Sequence, residues 1–250
     1  MKKLLFSTIA ILALESTLFA GGKLVAPPSV PPVPVITDSW SGPYIGLQAG
    51  YIQGKGDGEV SLIKSGVGRE ISYMQNFTYH ANGIKPKGFI GGIYLGYNKL
   101  LDNNWLAGIE FACNYMNIKK KATLYNENNS PTSAKLNLKQ KGEAALYAKF
   151  GKVVGNNNST LLYGLAGISA TKLYAGYEVG NLTIWDKDTV TGFTVGAGLE
   201  YKLNKNWHTR VQYRYSKYKD AKYDFTSAIK GKVKNYKTHS IMAGISYHFN

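Results

Sequence analysis

The chain has a single cysteine and no apolar run long enough for a transmembrane helix. Cys113 alone excludes a fold held together by intramolecular disulfides. The apolar run at residues 4–14 is too short to cross a hydrocarbon core of roughly 30 Å as a helix. Acidic residues are also scarce, because 15 Asp and Glu stand against 30 Lys and Arg, a formal net charge of +15. A basic chain of this kind is expected to meet anionic partners.

The N-terminus has the features of an export signal. Lys2 and Lys3 precede the apolar run, and small residues follow around Ala20. This pattern predicts a secretory signal peptide at residues 1–20, and the alternative of a membrane anchor is disfavoured by the length of the run. An exported chain does not ordinarily meet nucleic acid. The expected anions are therefore lipopolysaccharide phosphates, acidic glycans and haem propionates.

Proline is concentrated in one short segment. Residues 21–39 hold five of the eight prolines and almost no charge, which predicts an extended tether. A docking ligand for another domain is the alternative reading of this segment. The remaining residues, 40–250, are predicted to form one domain.

Alternation with a period of two residues dominates that domain. Between His239 and Phe249, apolar residues on one parity face small or polar residues on the other, which is typical of a barrel strand that crosses a membrane. Seven earlier segments share this pattern, at residues 44–51, 89–97, 105–115, 143–151, 160–170, 193–201 and 207–216. The sequence therefore predicts an all-β fold, an eight-stranded antiparallel transmembrane β-barrel in the outer membrane of a Gram-negative cell. Four long outer loops and short periplasmic turns are expected to join the strands.

The facing of one strand is ambiguous. In residues 160–170, Leu162 lies on one parity while Leu161, Tyr163 and Leu165 lie on the other, so both faces are apolar. We expect Tyr163 and Leu165 to point outward to lipid.

Charged residues fall on the inward parity of the other strands. Carboxylates and cations are balanced there: Glu110, Glu143 and Glu200 with Lys149, Arg210 and Arg214. Buried charges persist when they are paired, so these six residues are predicted to form a network that plugs the barrel. An acid–base cluster that includes His208 is the alternative, but no hydrolase motif accompanies it. No catalytic residue and no metal site are assigned, and the protein is not expected to be an enzyme.

Several motifs resemble a known family. The segments at residues 42–46, 192–207 and 210–215 are similar to the alphaproteobacterial outer-membrane β-barrel family of OmpA-like or porin type. With its proline-rich start and its Tyr247-His248-Phe249 ending, the chain most resembles the hemin-binding outer-membrane proteins of Bartonella. Gln212, where the family often has glutamate, and the terminal Asn250 depart from the pattern. The resemblance implies an OmpA-like barrel and a hemin ligand.

The predicted outer loops carry the residue types that haem needs. Cations would bind the propionates, aromatic rings would cover the macrocycle, and an axial His, Tyr or Met would bind iron. The last loop interleaves lysines with Tyr218, Tyr223 and Tyr236 and is expected to form a basic aromatic surface. The candidate haem-binding residues are His80 as the first axial candidate, Tyr79 as the second, Tyr73, Lys217, Lys219, Lys222, Lys230, Lys232 and Lys234.

The sequence thus predicts a surface protein that captures hemin, with haem as a bound ligand. A structural barrel, or an adhesin for acidic host glycans or matrix proteins, is the alternative, because surface lysines also favour anionic headgroups in general. A narrow porin is the third reading. Outer-membrane lipid and lipopolysaccharide are expected to surround the barrel in all three cases.

Overall fold

The computed structural model describes residues 40–67 and 72–249, with the side chains of all of these except 63–67, 72–76 and 156. The predicted signal peptide and tether, the side chain of Tyr73 and the terminal Asn250 lie outside the described residues. Ten strands are present: β1 Gly42–Val67, β2 Ser72–Ile84, β3 Lys87–Leu100, β4 Trp105–Tyr125, β5 Pro131–Val154, β6 Thr160–Val179, β7 Leu182–Lys202, β8 Trp207–Tyr218, β9 Ala221–Thr226 and β10 Ile229–His248.

Eight of these strands close into a ring. The antiparallel order runs β1, β3, β4, β5, β6, β7, β8, β10, and β10 then pairs with β1 from Tyr44 opposite His248 to Leu62 opposite Ile229. Closure removes the free edges of the sheet. The eight-stranded antiparallel all-β fold is confirmed. Within the described residues, no helix has the length and apolar character to cross a membrane.

Short asparagine turns close one end of the ring. Asn103, Asn104, Asn157 and Asn158 have φ of 59°, 63°, 60° and 51°, the left-handed region that asparagine tolerates better than most residues. The third turn is fixed by the Asn204 side chain, which accepts hydrogen bonds from the backbone amides of Asn206 and Trp207 at 3.0 and 2.9 Å. These are the short turns expected from the sequence, and we refer to this side as the turn end.

At the opposite end the links between strands are themselves strands. β2 continues the direction of β3 beyond a break at Pro86, and β9 continues β8 beyond a break at Lys219 and Asp220. A break suits Pro86 because proline has no amide hydrogen for the ladder. The expected long outer loops are therefore mostly paired hairpins rather than irregular loops. One of their turns is held by Asn126, whose side chain accepts from the Ser130 amide at 2.8 Å.

A β-bulge marks the boundary between two layers of the ring. Gly142 has φ of +64°, and the register of β5 shifts on both sides of it. The outward parity on β5 consequently changes from Lys139 and Lys141 to Ala144 and Leu146. We call residues 55–67, 72–87, 117–141, 172–191 and 217–237 the outer extension, and the rest of the ring the membrane layer.

The membrane layer exposes a belt of large apolar side chains. Leu47, Phe89, Ile109 and Ile168 are between 62% and 83% exposed, and aromatic residues such as Trp105 and Trp207 stand at the turn end. The prediction for residues 160–170 was wrong. Tyr163 and Leu165 are buried inside the barrel, while Leu162 points outward. The tyrosine faces inward because its hydroxyl donates to Gln212 Oε1 at 2.8 Å, a partner that lipid cannot supply.

Candidate functional site

The interior of the membrane layer contains the six predicted charges as three pairs. The central pair joins Arg210 to Glu110 through two hydrogen bonds, at 2.5 Å from Nη1 and 3.0 Å from Nη2. Tyr44 donates to the same carboxylate at 2.9 Å, and Arg210 also donates to Gln48 at 2.7 Å. All four side chains are buried. This bidentate geometry is the strongest form of an arginine–carboxylate contact.

The second pair lies closer to the outer extension. Arg214 Nη1 is 3.3 Å from Glu143 Oε1 and donates to the Tyr147 hydroxyl at 2.6 Å. Asn114 and Tyr218 donate to the two oxygens of Glu143 at 3.1 and 2.9 Å. The carboxylate is thus fully hydrogen bonded, as a buried charge must be to avoid a large desolvation penalty.

The third pair lies near the turn end and includes two histidines. Lys149 Nζ is 2.7 Å from Glu200 Oε2, and His208 Nδ1 and His248 Nε2 lie 3.0 and 3.2 Å from Oε1. Glu200, His208 and His248 are close enough to hold a metal ion. However, an ammonium group already neutralises the carboxylate, and the imidazole rings are stacked at 3.7 Å. The cluster therefore works as a hydrogen-bonded plug.

The interior of the outer extension is apolar. Buried side chains from all its segments form one core, including Leu124, Leu136, Leu138, Leu173, Val190, Tyr223 and Val233. Tyr236 lies at the end of this core that is nearest the membrane layer, and its hydroxyl donates to Gln140 Oε1 at 2.7 Å. The extension is therefore a packed body and not a set of free loops.

The expected basic aromatic surface is not formed. Tyr218, Tyr223 and Tyr236 are at most 3% exposed, because they lie on the inward parity of β8 to β10. Lysines of the same segments lie on the outward parity: Lys217, Lys219, Lys222, Lys230, Lys232 and Lys234. Alternation along a strand separates the cations from the aromatic rings.

Three of these lysines are already paired with carboxylates. Lys232 lies 3.1 Å from Asp220, Lys230 lies 3.9 Å from Asp224, and Lys234 forms an ion pair with Glu59. Burial raises the pKa of Asp220, but hydrogen bonds from Lys232 and from the Asn235 amide outweigh the effect of burial. The pKa of Asp220 therefore lies below its ordinary value. The hydrogen bond to Glu59 raises the pKa of Lys234.

The two axial candidates point to opposite faces of β2. Tyr79 packs against the apolar core, whereas His80 lies on the outer face opposite Glu59 of β1 and Tyr125 of β4. His80 lines a hollow of about 400 Å³ together with Asp57, Glu59 and Lys234. The structure thus brings His80 and Lys234 together but separates both from Tyr79 and from Lys217.

A second hollow, of about 330 Å³, lies on the opposite side of the extension, on β4 to β7. Lys119, Lys120, Lys121 and Lys139 line it with the half-exposed Trp185, and Lys139 Nζ stands 3.6 Å from a ring centroid of that tryptophan. The sequence prediction omitted Lys139 and Trp185, although lysines at residues 135, 139 and 141 share one parity. The register places Lys119 directly opposite Lys139.

One carboxylate faces this hollow among the residues that line it. Glu178 accepts from Asn137 at 2.7 Å and pairs with Lys121 at 2.9 Å. These two hydrogen bonds, from the amide first and the ammonium second, hold the pKa of Glu178 below its ordinary value. Lys119, Lys120 and Lys139 form no ion pair with the described residues, so the hollow is basic.

A closed ring with an apolar outer belt and a paired-charge interior defines an integral outer-membrane β-barrel. The chain belongs to the outer membrane protein beta-barrel domain family, whose model matches residues 24–249. It is accordingly an outer-membrane protein. The sequence is similar to the 31 kDa outer-membrane immunogenic protein of Brucella melitensis, with 28% identity over the full length of both chains.

The chain is also similar to a second relative and to a solved structure. The 25 kDa outer-membrane immunogenic protein of Brucella ovis is 30% identical over 87% of this chain and 90% of its own. Among solved structures, the outer membrane protein OprG of Pseudomonas aeruginosa matches 84% of this chain and 97% of its own, with 15% identity and a TM-score of 0.48.

Proposed function

We propose that this barrel is a non-enzymatic surface protein that attaches to acidic glycans through the basic hollow on β4 to β7. The observation that carries the proposal is the alignment of Lys119 with Lys139 on neighbouring strands, without a carboxylate between them. Like charges directly opposite each other destabilise a sheet, and an anionic partner would remove that cost. Acidic matrix proteins offer the same charge, but a sugar ring can also contact the exposed part of Trp185 beside the Lys139 ammonium.

The rigidity of the outer extension supports this role. Its core holds the lysines on paired strands, so little conformational freedom is lost when a polyanion binds. The interior favours attachment over transport, because the core and the three ion pairs fill the path that a porin would need. We accordingly expect no discrete conductance steps in a planar bilayer.

The test is binding of the refolded full chain to a sulfated glycosaminoglycan such as heparin. Because each lysine near an anionic surface contributes about 1 kcal/mol, Lys119→Ala combined with Lys139→Ala should weaken binding about 30-fold. Lys222→Ala with Lys230→Ala, on the other side of the extension, is the matched control and should change it less than about threefold. Equal losses in the two double variants would refute a localised glycan site.

Hemin capture is the second candidate, favoured by one observation. His80 lies opposite Tyr125, which is 42% exposed, so an axial imidazole and an aromatic ring are adjacent on the outer face. Lys234 could contribute a cation for a propionate, although Glu59 competes for it. The residues far from this hollow, Lys217 and Lys219 among them, would not take part.

A hemin titration that follows the Soret band distinguishes the two candidates. Iron coordination is short-ranged, so binding by His80 should persist in 1 M salt, where the Debye length is about 3 Å, while glycan binding should be lost. His80→Ala should abolish the saturable shift and His239→Ala should not. A shift that is identical in His80→Ala would mean that hemin partitions into detergent, and hemin capture at this site would be abandoned.

A further inference from the structure

The lipid-facing side of the barrel has a groove at the boundary between its two layers. The groove has a volume of about 790 Å³ and runs across β5, β6 and β7. Its floor is made of small side chains that the register aligns: Ala144 lies opposite Ala170, and Ala170 lies opposite Thr191. This row lies next to bulky residues of the belt on the same strands, Leu146 and Ile168.

A wall of large apolar residues borders the groove on the side of the membrane layer. Phe111, Leu146, Ile168 and Phe193 are neighbours in one row across four strands, and each is at least 40% exposed. Such a row beside a floor of alanines forms a channel in which an acyl chain can lie flat. Dispersion contacts on two sides would hold it better than the smooth belt does.

Lysines border the groove on the side of the outer extension. Lys141 and Lys172 lie directly opposite each other on β5 and β6, immediately beyond the floor. Lys219 lines the end of the groove at the level of Thr191, to whose carbonyl its amide donates at 2.9 Å, and Lys217 lies opposite Phe193 at the end of the wall. None of the four forms an ion pair with a carboxylate in the part of the chain that the structure describes. Four uncompensated cations around an apolar channel complement a lipid with an anionic headgroup.

The spacing of the lysines selects among anionic lipids. Lys172 on β6 and Lys219 just after β8 are two strand spacings apart, about 10 Å at roughly 4.8 Å per strand, and two residues apart along the strands, about 7 Å, so their backbones lie about 12 Å apart. Two phosphates at opposite ends of a disaccharide headgroup can reach both ends of the groove at once. A glycerophospholipid carries one phosphate and reaches one end. From this geometry we infer that the groove is a binding site for the acylated, bis-phosphorylated disaccharide lipid of the outer leaflet, lipid A.

The site is distinct from the proposed glycan hollow, which lies farther from the membrane. Lys119 and Lys139 are the next outward residues on β4 and β5 beyond the row that contains Lys141. Because the two rows are adjacent, Ala170→Phe, which replaces none of these lysines, is the variant that separates the two sites.

Native mass spectrometry of the full chain in detergent, titrated with bis-phosphoryl lipid A, tests the inference. We expect Lys141→Ala with Lys172→Ala to weaken binding at least tenfold, and Ala170→Phe, which fills the floor, to do the same while leaving the barrel interior untouched. Lys55→Ala with Lys87→Ala is the matched charge control, because Lys55 and Lys87 lie on neighbouring strands at the membrane boundary, away from the groove. Ala243→Phe, another outward alanine, is the matched control for bulk. Both controls should stay within about twofold of the unmodified chain.

Comparison of lipids completes the test. Removal of one phosphate from lipid A should reduce retention toward the level of phosphatidylglycerol, and heparin binding should be unchanged by Ala170→Phe. The inference is overturned if phosphatidylglycerol binds as tightly as lipid A, since the lysines would then attract any anionic lipid. It is equally overturned if the control variants lose lipid A to the same extent as the groove variants.

Discussion

The membrane layer and the outer extension are built from the same ring of strands, yet they bury opposite kinds of side chain. Inside the membrane layer Glu110 and Arg210 are paired, whereas inside the extension Leu136 and Leu173 pack together. The outer faces are reversed as well, with apolar residues toward lipid and lysines toward water. The solvent outside each layer determines which face is apolar, and the strand itself permits either arrangement.

Breaking the polar interior should have the largest effect. Arg210→Met leaves the Glu110 carboxylate buried without its partner, and we expect a loss of about 3–5 kcal/mol in the free energy of unfolding. Urea denaturation in micelles measures this loss. Adding Glu110→Gln should recover part of it, and Lys217→Ala, an exposed control, should change little. A single variant Arg210→Met as stable as the unmodified barrel would mean that the pair contributes nothing.

Breaking the apolar interior should have a smaller and more local effect. Leu136→Ala creates a cavity in the core of the extension and is expected to cost about 3 kcal/mol. Limited proteolysis should then cut the extension, while the membrane layer keeps the gel mobility of a folded barrel. Ser133→Ala, an exposed change on the same strand, should not expose new sites. Loss of the folded band together with the extension would show that the two layers unfold as one unit.

The boundary between the layers depends on one backbone conformation. Gly142 has φ of +64°, and the nearest atom to an added Cβ is Asn114 O at 3.9 Å, so space is available and only the backbone is strained. Gly142→Val should cost about 1–2 kcal/mol, and Gly142→Asn less, because asparagine tolerates this region. Thermal unfolding of the two variants measures the difference. Equal melting temperatures would mean that the backbone conformation of Gly142 does not determine where the outward parity of β5 changes.

The smallest effect should come from acid on the outer face. The pKa of Glu178 is lower in the folded chain than its ordinary value of 4.5, so its hydrogen bonds from Asn137 and Lys121 stabilise the extension above that pH. This contribution is lost as the pH falls through the folded pKa. Protease resistance of the extension should therefore decline as the pH falls below about 4.5, less steeply in Glu178→Gln than in the unmodified chain. Parallel curves for the two proteins would contradict the assignment to Glu178.

The sequence predicted the membrane layer better than the extension, for a physical reason. Alternation with one apolar face directly predicts a lipid-facing strand. The prediction of facing was wrong at Tyr163 because both parities of that segment are apolar. In the extension, Lys222, Tyr223 and Asp224 also alternate, but their polar face is outside. If these residues are assumed to form a loop, they predict a mixed surface of lysine and tyrosine. If they are assumed to form a strand, the same residues place the tyrosine in a core.

The candidate sites were less predictable because they depend on register. Lys119 and Lys139 are 20 positions apart in the sequence, and their alignment follows from the pairing of β4 with β5. The parity change at Gly142 could not be foreseen from alternation alone, although a glycine between Lys141 and Glu143 is a signal for a bulge. His80 was singled out by residue type, and its neighbours Glu59 and Tyr125 are known only from the fold.

Ring closure joins the strands that are farthest apart along the chain. Tyr44 of β1 pairs with His248 of β10. The first strand of the ring therefore cannot be paired on both of its edges until the last strand has been added. During that interval the growing sheet offers two unpaired edges to any other chain nearby. Contacts of such long sequence separation also form slowly. Aggregation through unpaired strand edges is therefore most favoured in the period before β1 and β10 pair, and protection from neighbouring chains matters most during that period.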